Sequence, residues 1–184
     1  MGKFRISITG DLGSGKSTVM KILADRHTVE RVSAGTIQRE MAKSMGMTIE
    51  QFNRFMEGDP QFDKKLDDYL ASYDGKEGNY IFDSRLAWHF IPSTLSIYLK
   101  VDPRVAAERI FNADRSDEKY SSVDEALEKI SARRESEVRR YKEFYNLEVL
   151  DLSNYDCVID TTSLTPEEVA KKIEEKVNEE NLKN

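Results

Sequence analysis

The spacing of apolar residues changes several times along the chain, and each change marks an element. Phe4, Ile6 and Ile8 alternate with polar neighbours over Phe4 to Thr9, the period of a short strand. From Lys16 to His27 the spacing becomes helical, with Val19, Met20, Leu23 and Ala24 on one stripe. Val29 to Ser33 reads as a second, weaker strand. Gly35 to Tyr73 is a helical block punctuated by Gly46 and by Gly58-Asp59-Pro60. Within it Thr48-Ile49-Glu50-Gln51 has the form of a capping box, and Pro60 sits where a first helical turn tolerates proline. The turn cluster Asp74 to Asn79 leads into a strand, Tyr80-Ile81-Phe82, that ends at Asp83. Leu95 to Val101 is another strand, and Pro103 opens a helix that runs to Ile110. Asn112 to Ser122 is polar, a long helix follows to Tyr145, and Cys157 to Asp160 forms a last strand. Thr165-Pro166-Glu167-Glu168 starts a closing helix that is expected to end in a polar tail.

Strands separated by helices predict an α/β fold: a central parallel five-stranded sheet with helices on both faces, in three layers. The 184 residues fit a single domain, 1–184, large enough to bury a core without a disulfide or metal staple. The helical insertion at 35–73 and the polar segment at 112–122 break the alternation, and they are the parts expected to move. The net charge of −6 excludes a generic electrostatic binder of nucleic acid or of an anionic membrane, so any anionic ligand must be held by locally placed cations. Cys157 is the single cysteine, which leaves no disulfide framework and no cysteine-based zinc site. No apolar run approaches the ~18 residues of a membrane helix, and MGKFRISITG lacks the apolar region of a signal peptide. A cytoplasmic protein is expected, and the acidic, mixed-charge surface makes a monomer the default.

Between the first strand and the first helix stands Gly10-Asp11-Leu12-Gly13-Ser14-Gly15-Lys16-Ser17, a full match to the Walker A pattern. Glycines there let backbone N–H groups converge on one centre, and the N-terminus of the following helix adds partial positive charge. Lys16 can reach the terminal phosphates of a nucleoside triphosphate, and the Ser17 hydroxyl can ligate Mg²⁺. The loop alone does not choose between switch and kinase. A GTPase should carry Asp-x-x-Gly and Asn-Lys-x-Asp, and neither string occurs in the sequence. A kinase is favoured.

Transfer between two phosphates needs fixed cations, and arginine suits that role through its permanent charge and fork of donors. Arg39 follows Ser33-Ala34-Gly35, Arg85 lies two residues after Asp83, and Arg109 and Arg115 flank the start of the polar segment. Arg133 and Arg140, seven apart in the long helix, share a face. Their alternation with Glu135, Glu137 and Glu143, together with Arg134 and Arg139, also fits a helix surface laced with salt bridges. Asp83, ending a strand beside the glycine turn, suits the single carboxylate that Mg²⁺ asks for.

With these residues set out, the chain resembles the nucleoside monophosphate kinases, most closely the compact archaeal-type cytidylate kinases. The similarity runs from Ile6 to Val169: ITGDLGSGKSTV in the phosphate loop, SAGTIQREMAKSMGMTIEQFN, FDSRLAW, VAAERI, RRESEVRRYKEFY and YDCVIDTTSLTPEEVA. The resemblance implies an ATP-binding set running from Gly10 through Thr18, joined by Arg109 over the adenine. It implies that Ser33, Thr36, Arg39, Arg85 and Arg140 hold the acceptor monophosphate, with 35–73 as the acceptor-binding segment. It also implies that Arg115 enters with a lid at 112–122, and that Arg133 and Arg140 clamp the phosphates in transit. Asp83 would support Mg²⁺ together with Ser17. Thr36 stands where relatives usually have Asp, and Ser84 where they commonly have Gly.

The activity so implied is ATP-dependent phosphorylation of CMP or dCMP. Transfer to UMP, AMP or a small hydroxyl-bearing metabolite stands beside it, as does a nucleotide-binding regulatory module. Transfer to a hydroxyl would need a general base, and Asp83 is the candidate. His27, near a helix end, and His89, beside Trp88, read as structural. Met41, Met45, Met47 and Met56, with Phe52 and Phe55, read as adaptable core rather than as a wall against a base.

Overall fold

The computed structural model describes residues 3–56, 61–113 and 120–183. Five parallel strands are ordered β2-β3-β1-β4-β5: β1 Arg5–Gly10, β2 Glu30–Ser33, β3 Tyr80–Asp83, β4 Leu95–Lys100 and β5 Cys157–Asp160. The helices are α1 Lys16–Arg26, α2 Ala34–Ser44, α3 Ile49–Met56, α4 Phe62–Ala71, α5 Ala87–Phe90, α6 Pro103–Phe111, α7 Val123–Tyr145 and α8 Pro166–Lys183. β1 is central. The helix that follows β1, α1, and the helix that follows its neighbour β3, α5, pack in different clusters on opposite faces, so a crevice opens beyond the carboxyl ends of β1 and β3, where ligands bind in open α/β sheets.

One face of the sheet is covered by α1 and α8. Ile6, Ile8, Ile81, Ile97 and Leu99 from the strands meet Val19, Met20 and Leu23 from α1 and Ala170 and Ile173 from α8, all buried. A second cluster, Val32, Ile37, Leu70, Tyr73, Phe82, Ala87 and Ile91, seats α2, α4 and α5 on the β2–β3 side. A third, Val101, Ala106, Ala107, Ile110, Ala126 and Ile130, fixes α6 against α7. The long helix is thereby carried back toward the glycine turn.

The helical block at 35–73 resolves into three helices. The break after α2 falls at Gly46, which has a φ of 68°, and the next helix starts on the expected capping box. The Gln51 side chain accepts from Thr48 N at 2.9 Å, and Thr48 Oγ1 accepts from Gln51 N at 3.2 Å. Pro60 lies outside the described residues. Phe52 and Met56 are buried, with Met41 and Met47 packed against that cluster, as adaptable core. Met45 and Phe55 are instead exposed. Two short elements carried no periodic signal: α5, of four residues, and the 3-10 turn Leu152–Asn154. The closing helix also runs further than expected. Polar pairs such as Lys176–Glu180 carry α8 through the segment expected to be a tail, to Lys183. No described helix is long and apolar enough to cross a membrane.

Candidate active site

The glycine turn is shaped by what surrounds it. Gly10 has a φ of 144°, and a Cβ there would sit 2.2 Å from the Leu99 carbonyl oxygen of β4. Gly13, at φ 77°, would press a Cβ to within 3 Å of the Ala106 backbone in α6. Both positions need glycine because the loop threads between two packed elements. Ser14 Oγ closes the turn by donating to Asp11 O at 2.8 Å. Gly15 precedes α1 in the left-handed region and offers no side-chain cap, and the first turn of that helix holds no acidic residue. The leading N–H groups of α1 are therefore directed into the loop, which makes an anion site. Ser17 and Thr18 are exposed on that first turn.

Lys16 lies across the cradle. Its Nζ donates to Gly10 O at 2.9 Å and to Asp11 O at 2.6 Å. Burial pushes its pKa down to about 7, with repulsion from Arg85 adding to the shift and Asp83, Asp11 and Glu137 opposing it. Phosphates arriving in the loop would supply the counter-charge that this ammonium lacks. Beside the cradle is a cavity of about 340 Å³ lined by Gly13, Thr18, Arg109, Thr161, Leu164 and Pro166, among others. Arg109 braces it: Nη2 donates to Thr161 O at 2.8 Å and Thr162 O at 3.1 Å, and Nη1 to Gly13 O at 3.4 Å.

Across the crevice, Ser33 caps α2, its Oγ accepting from Thr36 N at 3.2 Å. The Ser33 and Thr36 hydroxyls are 3.1 Å apart, and Arg39 Nη2 donates to Thr36 Oγ1 at 3.5 Å. These three acceptor candidates therefore form one group. Ser33 and Asp83 are paired in register at the ends of β2 and β3, so Asp83 faces the same crevice edge. Arg85 reaches further. Its Nη1 donates to Gly10 O, and its Nη2 is 3.0 Å from Glu137 Oε2 on α7. Arg133 Nε is 3.3 Å from the other oxygen of the same carboxylate. Arg140 lies over the ring of Tyr141 at 5.1 Å, with Nη2 3.3 Å from its hydroxyl. The glycine turn, Arg85 and Arg133 are thus linked, and Ser33, Thr36 and Arg39 form a second group at the end of β2. Arg115 lies outside the described residues.

Two participants, Arg134 and Glu137, escaped the sequence reading, and Asp11, expected in the ATP-binding set, has contacts that the motif does not imply. Asp11, only 8% exposed, accepts from Tyr98 Oη at 2.7 Å and Val101 N at 3.1 Å, and it pairs with Arg134 at 3.2 Å. This buried carboxylate ties the glycine turn to β4 and to α7, and it raises the Tyr98 phenol pKa along with burial. Arg134 and Glu137 had been indistinguishable from a solvated Arg/Glu surface. The usable signal was the i, i+3, i+7 spacing of Arg134, Glu137 and Tyr141, which puts the three on one face. The surface reading was correct in part, since Arg133 and Glu137 are an i, i+4 pair.

Among the described residues no group of three acidic, histidine or cysteine side chains could cage a metal. The donor set, one serine hydroxyl and one carboxylate beside a phosphate cradle, suits Mg²⁺. That ion keeps several waters and takes its remaining ligands from substrate phosphates.

Residues 5–163 match the profile of the cytidylate kinase-like family. A cytidylate kinase from Sulfolobus acidocaldarius is 39% identical over 180 residues, covering 97% of this chain and 96% of that one. One from Methanococcus maripaludis strain C5 is 37% identical over 183 residues, covering 97% and 98%. The shikimate kinase structure from Bacteroides thetaiotaomicron superposes with a TM-score of 0.59 at 18% identity, over 95% of this chain and 98% of that one, a likeness of fold. A phosphate cradle in an α/β sheet, faced by arginines and matched along nearly its whole length, makes this chain a member of the cytidylate kinase-like family.

Proposed function

We propose that the chain transfers the γ-phosphoryl group of ATP to CMP or dCMP, giving ADP and CDP or dCDP. The observation that carries this reading is the bridge Arg85–Glu137–Arg133 at the mouth of the glycine turn. It brings guanidinium groups from the turn after β3 and from α7 to the place where a second phosphate must approach the first. The base preference is taken from the cytidylate kinase relatives.

The roles follow from position. Residues Gly10 to Thr18 take the triphosphate of ATP, and the cavity under Arg109 takes its adenine. Lys16 leaves the carbonyls of Gly10 and Asp11 for the transferring phosphoryl group, whose charge restores its own. Segment 35–73, with Ser33, Thr36 and Arg39, takes the acceptor, and Arg85 turns its phosphate toward the cradle. An acceptor oxygen, already anionic, forms a bond to the γ-phosphorus as the bond to the ADP oxygen breaks, so no general base is needed. Arg133 and Arg140 neutralise the charge that accumulates between the two nucleotides, and Arg115 is assigned to the same task. Mg²⁺, held by Ser17 and Asp83 with the ATP phosphates, would supply further neutralisation of the triphosphate. A cytoplasmic monomer fits this activity.

The reading is tested by ADP release in the presence of CMP, dCMP, UMP, AMP, GMP or no acceptor. CMP and dCMP should accelerate release most, and no acceleration by any monophosphate would refute the proposal.

A further inference from the structure

Glu137 occupies an unusual place for a carboxylate. Its two oxygens are divided between two arginines from separate segments, Arg85 Nη2 at 3.0 Å on Oε2 and Arg133 Nε at 3.3 Å on Oε1. The Glu137 side chain is only 21% exposed, and that of Arg85 27%, while Arg85 also reaches the Gly10 carbonyl. Glu137 also lies close enough to Lys16 to favour its charged form. An anion is thus built into the protein among the cations assigned to phosphate.

Charge arithmetic within this trio disfavours the arrangement once the acceptor's phosphate reaches Arg85 and Arg133. Arg85, Arg133 and Glu137 together carry one positive charge. A nucleoside monophosphate brings about two negative charges at neutral pH. Phosphate and carboxylate together would set three negative charges against two positive ones in a partly desolvated site, where like charges repel strongly. Phosphate is also the better partner for two guanidinium forks, with more acceptor oxygens and more charge.

The geometry points to Glu137 as a stand-in anion that holds Arg85 and Arg133 together when no acceptor is bound and yields them to the acceptor's phosphate. This rests on the acceptor roles proposed above. Glu137 then sets the affinity of the site for phosphate. Any phosphate ligand, nucleotide or inorganic, must displace the carboxylate from Arg85 and Arg133 to bind. Glu137 acts through the arginines and is a positioning residue.

A purely structural ion pair and a stand-in anion predict opposite signs for Glu137→Gln. If the carboxylate only braces the arginines, its loss weakens acceptor binding. If it competes with phosphate, its loss strengthens binding. We expect Glu137→Gln to tighten CMP by about tenfold in calorimetric titration, the effect of one unit charge over several ångströms at a partly solvated site. Inorganic phosphate should tighten by a similar factor, and cytidine, which lacks the phosphate, should not change. Unchanged or weaker binding of both phosphate ligands overturns the inference. If Glu137→Gln does not fold, as judged by circular dichroism and gel filtration, Glu137→Asp carries the test. Its shorter carboxylate should release the arginines in part and give a smaller gain, and no gain there is equally decisive against the inference. The wild-type chain is assayed first for CMP phosphorylation. Failure in that assay removes the substrate reading, while the inorganic phosphate titration still tests Glu137.

Discussion

The two halves of the crevice are built by different means. The side proposed for ATP is made largely of backbone. Its N–H groups and carbonyls lie within Gly10 to Lys16, and its shape is set by Leu99 and Ala106 pressing on two glycines. The side proposed for the acceptor is made of side chains drawn from the ends of β2 and β3, from α2 and from α7, with Arg85 and Arg133 joined by Glu137. Backbone held between packed elements has one conformation. Long side chains on a helix surface have several, so the acceptor side can exchange partners while the ATP side stays fixed. The lesson is a division of labour between a rigid cradle and an adjustable clamp.

The widest separation between the halves should come from removing one cation from each. Lys16→Ala should lower turnover by about a thousandfold with the fold intact, because its ammonium follows the charge that moves. Arg133→Ala should lower turnover by about a hundredfold and raise the KM for CMP, leaving that for ATP close to wild type. Steady-state kinetics with each substrate varied separates the two patterns. Near-normal turnover in either variant would remove that residue's role, and equal effects on both KM values in Arg133→Ala would erase the boundary between the halves.

The same division decides what could be read from the sequence. The strands and the glycine turn are local: alternation at Phe4, Ile6 and Ile8 and eight contiguous residues after them fix both. The capping box at Thr48 was legible for the same reason, since its partners are three residues apart. The clamp was legible only as a list of arginines. Arg85 and Glu137 are brought together by the packing of α7 on α6, and no local pattern encodes a contact over that separation. Asp11 shows the limit best. Within the motif it fills a position open to any residue, yet here it is buried and bound by Tyr98 and Arg134. Tyr98 sits in an apolar strand, where its hydroxyl gave no sign of a polar partner. The seven-residue spacing of Arg133 and Arg140 left the long helix open between a clamp and a salt-bridged surface, and the resemblance of RRESEVRRYKEFY to the family pointed to the clamp.

A tenfold effect is expected from acidity on the ATP side. Burial pushes the Lys16 ammonium down to a pKa of about 7, from the 10.5 of a lysine in water. Between those values the unfolded chain binds more protons, so the penalty for burying this ammonium is full below pH 7 and is relieved as pH rises toward 10.5. ATP binding should reverse the shift and take up a proton. Affinity for ATP should fall by about tenfold for each pH unit above 7 within this window. Calorimetry at pH 8 in two buffers of different ionisation heat should register close to one proton bound. CMP binding, which meets permanently charged arginines, should show much less of this slope. A flat ATP affinity from pH 7 to 9 would mean that Lys16 is already fully charged before nucleotide arrives.

The smallest effect should come from the joint between the clamp and the insertion. Tyr145, the last residue of α7, donates its hydroxyl to Asp67 on α4, and its ring meets Phe90 of α5 at a centroid distance of 5.9 Å. Tyr145→Phe keeps the ring and removes the hydroxyl, so its cost should be about 1 kcal/mol, the usual net worth of a partly buried hydrogen bond. That loss is small against the core, and the midpoint of thermal unfolding should drop by only about 2–4 °C for a chain of this size. The functional consequence should be lopsided. α4 belongs to the insertion assigned to the acceptor, and α7 carries Arg133 and Arg140, so loosening their contact should raise the KM for CMP about two- to threefold. The ATP cradle is shaped by β4 and α6 and meets α7 through the Asp11–Arg134 pair, away from Tyr145, so the KM for ATP should change much less. A rise in both constants would mean that α7 transmits strain through Arg134 and Asp11 into the glycine turn, and that the two halves of the crevice are one mechanical unit.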